Sequence, residues 1–273
     1  MIKARETTFG KPRRLHFVGI GGSGMSGIAH ALAAQGHRVT GSDMADSERV
    51  RALRDAGVVV TLGHDDANVP PDVDLVVISA AVKEGNPELE AAKARGLKVL
   101  KYAEALGALM AERRGIAVAG AHGKTTTTGL LAYTLTQLGE EPTWVVGGKV
   151  DALGGSSGVG SGPCLVAEAC EYDRSFHHLH PEIAIVTNID EDHLDYYSGI
   201  AEITEAFRVF ARHLPATGKL IALNELSDVF GEDSGVKCPV EFVGLSDHAD
   251  WTASEWEVHK KYTRFTASLR GRS

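Results

Sequence analysis

The chain has 273 residues, with 28 Lys plus Arg against 36 Asp plus Glu and a formal net charge of -8. At roughly 150 residues per domain this predicts about two domains. A composition of 43% apolar and 23% charged residues supports a core and excludes bulk disorder. The acidic balance argues against broad binding to nucleic acid or a membrane surface, because phosphate backbones select a basic face. It leaves room for a local site that takes a phosphorylated small molecule.

In chain order, residues 15–18 predict a strand. Met25, Ile28, Ala29 and Leu32 then fall at i, i+3, i+4 and i+7, one face of a helix. A strand over 38–40, a helix over 47–56 and a strand over 58–61 follow. Residues 75–78 form an apolar run of the kind buried on both faces. A helix over 87–95 carries Pro87 near its first position. A short strand ends at Val99 and Leu100, and a helix over 102–113 turns Leu106, Leu109 and Met110 inward. Strands alternating with helices predict an α/β fold with a parallel, doubly wound sheet.

Arg113, Arg114 and Gly115 break this series and place a domain boundary there, giving domains 1–114 and 115–273. The second series opens with a strand over 116–119 and a helix over 125–138. The Gly/Ser-rich stretch 154–162 reads as an exposed loop. Strands are expected at 164–167, 183–187, 219–222 and 240–243. A helix over 200–213 gathers Ile203, Ala206, Phe207 and Phe210 on one face. From Trp251 the chain is amphipathic and β-like, with Tyr262, Phe265 and Leu269, and it ends at Arg270-Gly271-Arg272-Ser273. No closing helix follows, which predicts an incomplete second domain. Cys164, Cys170 and Cys238 fit no disulfide or zinc framework, so a reducing, cytoplasmic setting is expected. Residues 1–14 are polar, without the apolar run of a signal segment. The longest apolar runs, such as 75–82, are too short to span a bilayer.

Two glycine loops carry the chemistry. Gly19, Gly21 and Gly24 form GxGxxG between a strand and a helix, the context in which backbone amides and a helix N-terminus hold a diphosphate. Asp43 ends the second strand about 20 residues on, where an acid can take ribose hydroxyls. The bland alternative is a tight strand–helix turn. As a nucleotide site the motif is equally compatible with NAD and with a UDP-sugar. The second loop, Gly120-Ala121-His122-Gly123-Lys124-Thr125-Thr126, ends in Gly-Lys-Thr. There amides cradle phosphates, Lys reaches the β/γ-phosphates and the Thr hydroxyl can meet Mg²⁺. It departs from the full GxxxxGK[ST] because Val118 stands where the first Gly is expected; the alternative is a surface turn with a solvated Lys.

Glu168 and Glu171 follow the strand over 164–167, at the edge where parallel sheets place ligands. Asn188, Asp190, Glu191, Asp192, His193 and Asp195 follow another apolar strand. By chemistry alone Mg²⁺ selects oxygen ligands, favouring Asp190, Asp192 or Asp195 over His193. His177, His178 and His180 are irregularly spaced and read as loop or surface histidines.

The combination of GIGGSGM, GAHGKTTTT, EACEYDRSF and TNIDEDHLDYY, with Asn86-Pro87-Glu88 and residues 181–188 as flanks, closely resembles the Mur ligase family. The resemblance implies a Rossmann-like UDP-sugar-binding domain over 1–114. It implies an incomplete, P-loop-type ATP-binding central domain over 115–273, and an absent amino-acid-binding third domain. It implies an ATP-dependent ligase that joins L-alanine to the lactyl carboxylate of UDP-N-acetylmuramate for peptidoglycan precursors. Gly19, Gly21, Gly22, Ser23, Gly24, Met25 and Asp43 would contact the UDP-sugar. Gly120, Ala121, His122, Gly123, Lys124, Thr125, Thr126 and Asn188 would hold ATP. Lys124, Glu168 and His193 would be catalytic, and Thr125, Glu168 and His193 would hold Mg²⁺. The family's ligand pattern thus sets His193 ahead of the oxygen-only choice. Ala121 stands where Thr is usual and Cys170 where Asp is common. Competing readings are the family's murein tripeptide recycling ligase, a NAD-binding protein, and a non-catalytic nucleotide-binding remnant.

Overall fold

Strand β1 (Arg14–Val18) is buried from Leu15 onward, as a strand covered on both faces must be. It belongs to a computed structural model that describes residues 7–246, 248–260 and 262–269. Residues 1–6, 247, 261 and 270–273 lie outside the described residues. Next come α1 (Ser23–Ala34), β2 (Arg38–Asp43), α2 (Glu48–Asp55), β3 (Val59–Leu62), β4 (Leu75–Ile78), α3 (Pro87–Ala94), β5 (Lys98–Lys101) and α4 (Tyr102–Met110). Then follow β6 (Arg114–Ala119), α5 (Lys124–Gln137), β7 (Thr143–Val150), β8 (Gly155–Gly158), β9 (Cys164–Glu168) and β10 (Ile183–Val186). The last are α6 (Ile200–Arg212), β11 (Lys219–Leu223), α7 (Ser227–Phe230), β12 (Val240–Gly244), β13 (Trp251–Val258) and β14 (Thr263–Leu269). Helix starts obey local chemistry. Ser47 Oγ accepts from the Val50 amide at the head of α2. Asn86 Oδ1 accepts from the Glu88 and Leu89 amides at the head of α3, with Pro87 at its first position.

The chain divides into two units, residues 1–115 with 125–168, and residues 116–124 with 169–273. In the first, five parallel strands run in the order β3-β2-β1-β4-β5. Chain order reverses between β1 and β4, and such a switch point opens a crevice at the strands' C-terminal ends. Val18, Val69, Val73, Val76 and Ala92 form a buried cluster in this unit. This unit also holds β7, paired in parallel with β9 and antiparallel with β8. Sequence pattern alone did not predict β7, and it predicted a loop where β8 forms. Gly155–Gly158 has little intrinsic strand preference; pairing of Val145 with Ser157 and Val150 with Gly155 makes the strand.

In the second unit β6, β10, β11 and β12 are parallel neighbours. The chain from Trp251 is a hairpin, β13 parallel to β12 and β14 antiparallel to β13. The expected α6 face is buried: Ile203, Ala206, Phe207 and Phe210. Phe176 stacks on Phe210 at 4.9 Å and meets Phe207 edge-on at 5.1 Å, geometry worth about 1 kcal/mol per pair beyond area burial. No helix among the described residues is long and apolar enough to cross a membrane.

Candidate functional site

The first glycine loop sits at the switch point. Where β1 ends, the Gly19 and Ile20 amides both bond to Ser42 O at 2.9 Å. Gly22 caps α1 without any side-chain cap, so the helix N-terminus keeps its partial positive charge for a ligand. Asp43 braces the loop: its Oδ2 accepts from the Gly21 amide at 2.8 Å and its Oδ1 from the Ala45 amide at 3.1 Å. Arg49 Nε donates to Gly21 O at 2.6 Å. Gly24 is required by close packing, since a Cβ there would lie 2.2 Å from Tyr102 Oη on α4. A cavity of about 650 Å³ opens beside the loop, lined by Gly19, Gly22, Asp43, His64, Ser79 and Asn86 among others. Ser23 lines a second cavity of about 330 Å³ together with Arg49, Lys149, Ser156 and Ser157. Met25 is buried in α1.

Beneath the first cavity lies a buried polar network that sequence pattern did not reveal. Glu88 is fully buried. Its Oε2 meets His16 Nε2 at 2.6 Å, its Oε1 meets His64 Nδ1 at 2.6 Å, and Ser42 Oγ donates to both oxygens at 2.7 and 2.8 Å. Burial by itself raises the pKa of this carboxyl, yet the hydrogen bonds from His16, Ser42 and His64 outweigh it and hold the group below its ordinary value. The only sequence signal was a Glu one residue past the Pro that opens α3.

The second glycine loop joins β6 to α5. Gly120 adopts φ 144°, and a Cβ there would fall 2.0 Å from Thr187 Oγ1, so only glycine fits. Asn188 clamps the loop: its Oδ1 accepts from the His122 amide at 2.8 Å and its Nδ2 donates to His122 O at 2.9 Å. Ala121 N donates to Asn188 O. Lys124 folds back over the loop, its Nζ donating to Gly120 O, Ala121 O and both oxygens of Glu171, at 3.0 and 2.9 Å. Glu171 is 2% exposed. Tyr197 Oη donates to Glu171 O, and burial pushes that phenol up to about 12. Thr125 and Thr126 are exposed in the first turn of α5.

The expected metal ligands fall in both units. Glu168, at the end of β9, accepts from the Gly147 amide at 2.7 Å, and Thr125 belongs to the same unit. In the other unit His193 groups with Glu171 and Asp192, their ligand atoms all within 4.8 Å of one another. His193 Nε2 is 3.8 Å from Glu171 Oε1 and His193 Nδ1 is 3.8 Å from Asp192 Oδ1. Its φ of 55° is a strained value for a non-glycine residue, of the sort kept where a site fixes it. Two carboxylates and an imidazole are a donor set a divalent cation accepts. Asp190 pairs instead with His122 at 3.8 Å, and Asp195 accepts from Tyr172 Oη. Glu171 was legible in the sequence as an acid after a strand, without a role; its contact with Lys124 is 47 residues distant in sequence. His177 stacks on Phe176 and bonds to Ala206 O, and burial lowers its pKa; it packs the loop against α6.

Known proteins resemble this chain in sequence and fold. Residues 14–114 match the Mur ligase family catalytic domain and residues 118–272 the Mur ligase middle domain. A UDP-N-acetylmuramate–L-alanine ligase of Rubrobacter xylanophilus is 46% identical over 85% of this chain and 52% of its own length. One from Geobacter sp. strain M21 is 45% identical over 96% and 57%. Among solved structures, a UDP-N-acetylmuramate–alanine ligase from Thermotoga maritima superposes with TM-score 0.79 at 28% identity, covering 95% of this chain and 59% of that one. A UDP-N-acetylmuramate:L-alanyl-gamma-D-glutamyl-meso-diaminopimelate ligase from Neisseria meningitides gives TM-score 0.81 at 27% identity, covering 96% and 86%. The chain spans about half the length of the curated relatives it matches. With both family domains matched over nearly all of its residues, the chain belongs to the Mur ligase family.

Proposed function

We propose that this chain carries the sugar-nucleotide and ATP sites of an ATP-dependent ligase that joins L-alanine to the lactyl carboxylate of UDP-N-acetylmuramate. The observation that carries the reading is Lys124, held over its glycine loop at the head of α5 by a buried carboxylate. A bare surface lysine would need no such counter-ion. The relatives at 45–46% identity support the substrates. The boundary at 114/115 then divides UDP-sugar binding from ATP binding.

In this mechanism the lactyl carboxylate attacks the γ-phosphorus of ATP, giving an acyl phosphate and ADP. The L-alanine amine attacks that carbonyl, a tetrahedral intermediate forms, and phosphate leaves. Phosphoryl transfer asks of the protein positioning and charge neutralisation. Gly120 to Thr126 present amides to the phosphates, Asn188 holds the loop's shape, and Lys124 moves from Glu171 to the transferring phosphoryl group. Glu168, Thr125 and His193, with Glu171 and Asp192 beside His193, are the groups that would hold Mg²⁺. When bound, that ion neutralises phosphate charge. Gly19, Gly21, Gly22, Ser23, Gly24, Met25 and Asp43 form or brace the UDP-sugar loop. The spacing of Cys164, Cys170 and Cys238 fits no disulfide framework, which supports a cytoplasmic setting.

The test is calorimetric titration with UDP-N-acetylmuramate and, separately, with NAD. Binding of the UDP-sugar without NAD supports the reading, and binding of NAD alone overturns it. A phosphate-release assay with ATP, UDP-N-acetylmuramate and either L-alanine or a murein tripeptide then separates the alanine ligase from the recycling ligase, a second reading kept because the fold also fits the Neisseria structure.

A further inference from the structure

A carboxylate buried beneath a cavity and held by hydrogen bonds from His16, Ser42 and His64, with Asn68 Nδ2 at 3.5 Å, is more than packing requires, because an apolar side chain would fill the space without any desolvation cost. Glu88 is such a group. The cost is met by His16, Ser42 and His64, and His16 is itself fixed by Thr40, whose Oγ1 lies 2.9 Å from His16 Nδ1. The carboxylate therefore cannot turn. Its position in the first turn of α3 adds a favourable helix dipole.

Of these partners, His64 alone lines the cavity. Its side chain is 20% exposed where that of Glu88 is 0%. A carboxylate only accepts, so His64 Nδ1 at 2.6 Å from Oε1 must carry the hydrogen. In the neutral ring this leaves the lone pair on Nε2, at the opposite side of the imidazole, and no described group meets it. Asp43 and Asn86 face the same cavity, and both are already committed to backbone amides. His64 therefore offers an unused acceptor there.

We propose that Glu88 is a positioning residue: it fixes the tautomer and orientation of His64, so that Nε2 accepts a hydrogen bond from an N–H or O–H of the sugar nucleotide. The inference rests on reading this cavity as the UDP-sugar site. Glu88 touches no ligand itself; it acts through the imidazole.

The experiment titrates UDP by calorimetry into the wild-type chain, Glu88→Gln, His64→Gln and the double variant. The ring nitrogens of ¹⁵N-histidine-labelled protein are followed by NMR at about pH 8, where an ordinary imidazole is neutral. Each single substitution is expected to weaken UDP about tenfold, the scale of one hydrogen bond, and the double no further than either, since both remove one contact. In wild type, His64 shows a protonated Nδ1 and a bare Nε2; in Glu88→Gln that pattern is lost. Additive losses, or UDP affinity unchanged in Glu88→Gln, overturn the proposal while the cavity assignment stands. Absence of UDP binding in wild type overturns both. Should Glu88→Gln fail to fold, the wild-type spectrum decides, because a His64 ring carrying its hydrogen on Nε2 refutes the geometry.

Discussion

Replacing Lys124 by Ala disturbs more than a phosphate ligand. Lys124 is 16% exposed and Glu171 2%, with Nζ 2.9–3.0 Å from both carboxylate oxygens. Water screens such a pair little, and deleting the lysine strands a buried negative charge with His193 still 3.8 Å away. Removing one partner of a buried pair costs about 3–5 kcal/mol; the partial exposure of Lys124 puts this case near the lower end, about 3 kcal/mol. At 2–4 °C per kcal/mol that lowers the melting temperature by about 6–12 °C. Adding Glu171→Gln removes the stranded charge, and the double variant should recover to within about 1 kcal/mol of wild type. ATP binding should be lost in both variants. Thermal unfolding with calorimetric ATP titration reads each quantity separately. A single variant that melts with wild type, or a double variant as unstable as the sum of its parts, refutes the coupling.

Other outcomes follow from individual contacts. Gly24→Ala drives a methyl into the Tyr102 ring, whose nearest atoms would lie at 2.2–2.5 Å; overpacking should cost about 1–3 kcal/mol, read as a shift in the urea midpoint. Glu168→Ala should make nucleotide binding far less dependent on Mg²⁺, and an unaltered Mg²⁺ titration would remove Glu168 from the metal site. Glu88 is held below the ordinary carboxylate value. Its stabilising contribution is therefore fully present above about pH 4.3 and fades as pH falls through the lower, folded value. Unfolding in urea across that range should show the decline in wild type and lose it in Glu88→Gln.

The elements that were legible are those dictated locally. Leu75–Ile78 could be read as a strand because four apolar residues in a row suit a sheet covered on both faces. The α6 face was legible because Ile203, Ala206, Phe207 and Phe210 repeat at helical spacing. The glycine loops were legible because a turn from strand to helix needs residues without Cβ atoms. What escaped was decided by partners distant in sequence. β8 is a strand because β7 lies beside it, and neither Gly155 nor Ser156 carries that information. Glu171 and Cys170 look alike as residues after a strand; only the fold buries the first against Lys124 and leaves the second exposed. Asp43 was legible as the acid that ends β2, while its hold on the Gly21 amide depends on how β2 passes the loop.

The state of Lys124 has a consequence for how a nucleotide enters. Its charge is already compensated by Glu171, so an arriving polyphosphate exchanges one anion for another and gains little from the lysine alone. Once Lys124 turns to phosphate, Glu171 is left beside Asp192 and His193, two acids without their cation, and a divalent ion answers that deficit. Nucleotide and metal should therefore bind with positive coupling, in which each raises the affinity of the other by the same factor. Glu171→Gln separates the two contributions. It removes the competing anion, so metal-free ATP should bind more tightly than to wild type. It also removes a carboxylate that needs the ion, so the gain in affinity on adding Mg²⁺ should shrink. Titrations of ATP in chelator and in excess Mg²⁺, with both proteins, measure the two effects. Metal-free affinity that falls in Glu171→Gln would mean that the carboxylate orients Lys124 for phosphate rather than competing for it, and the exchange argument would fail.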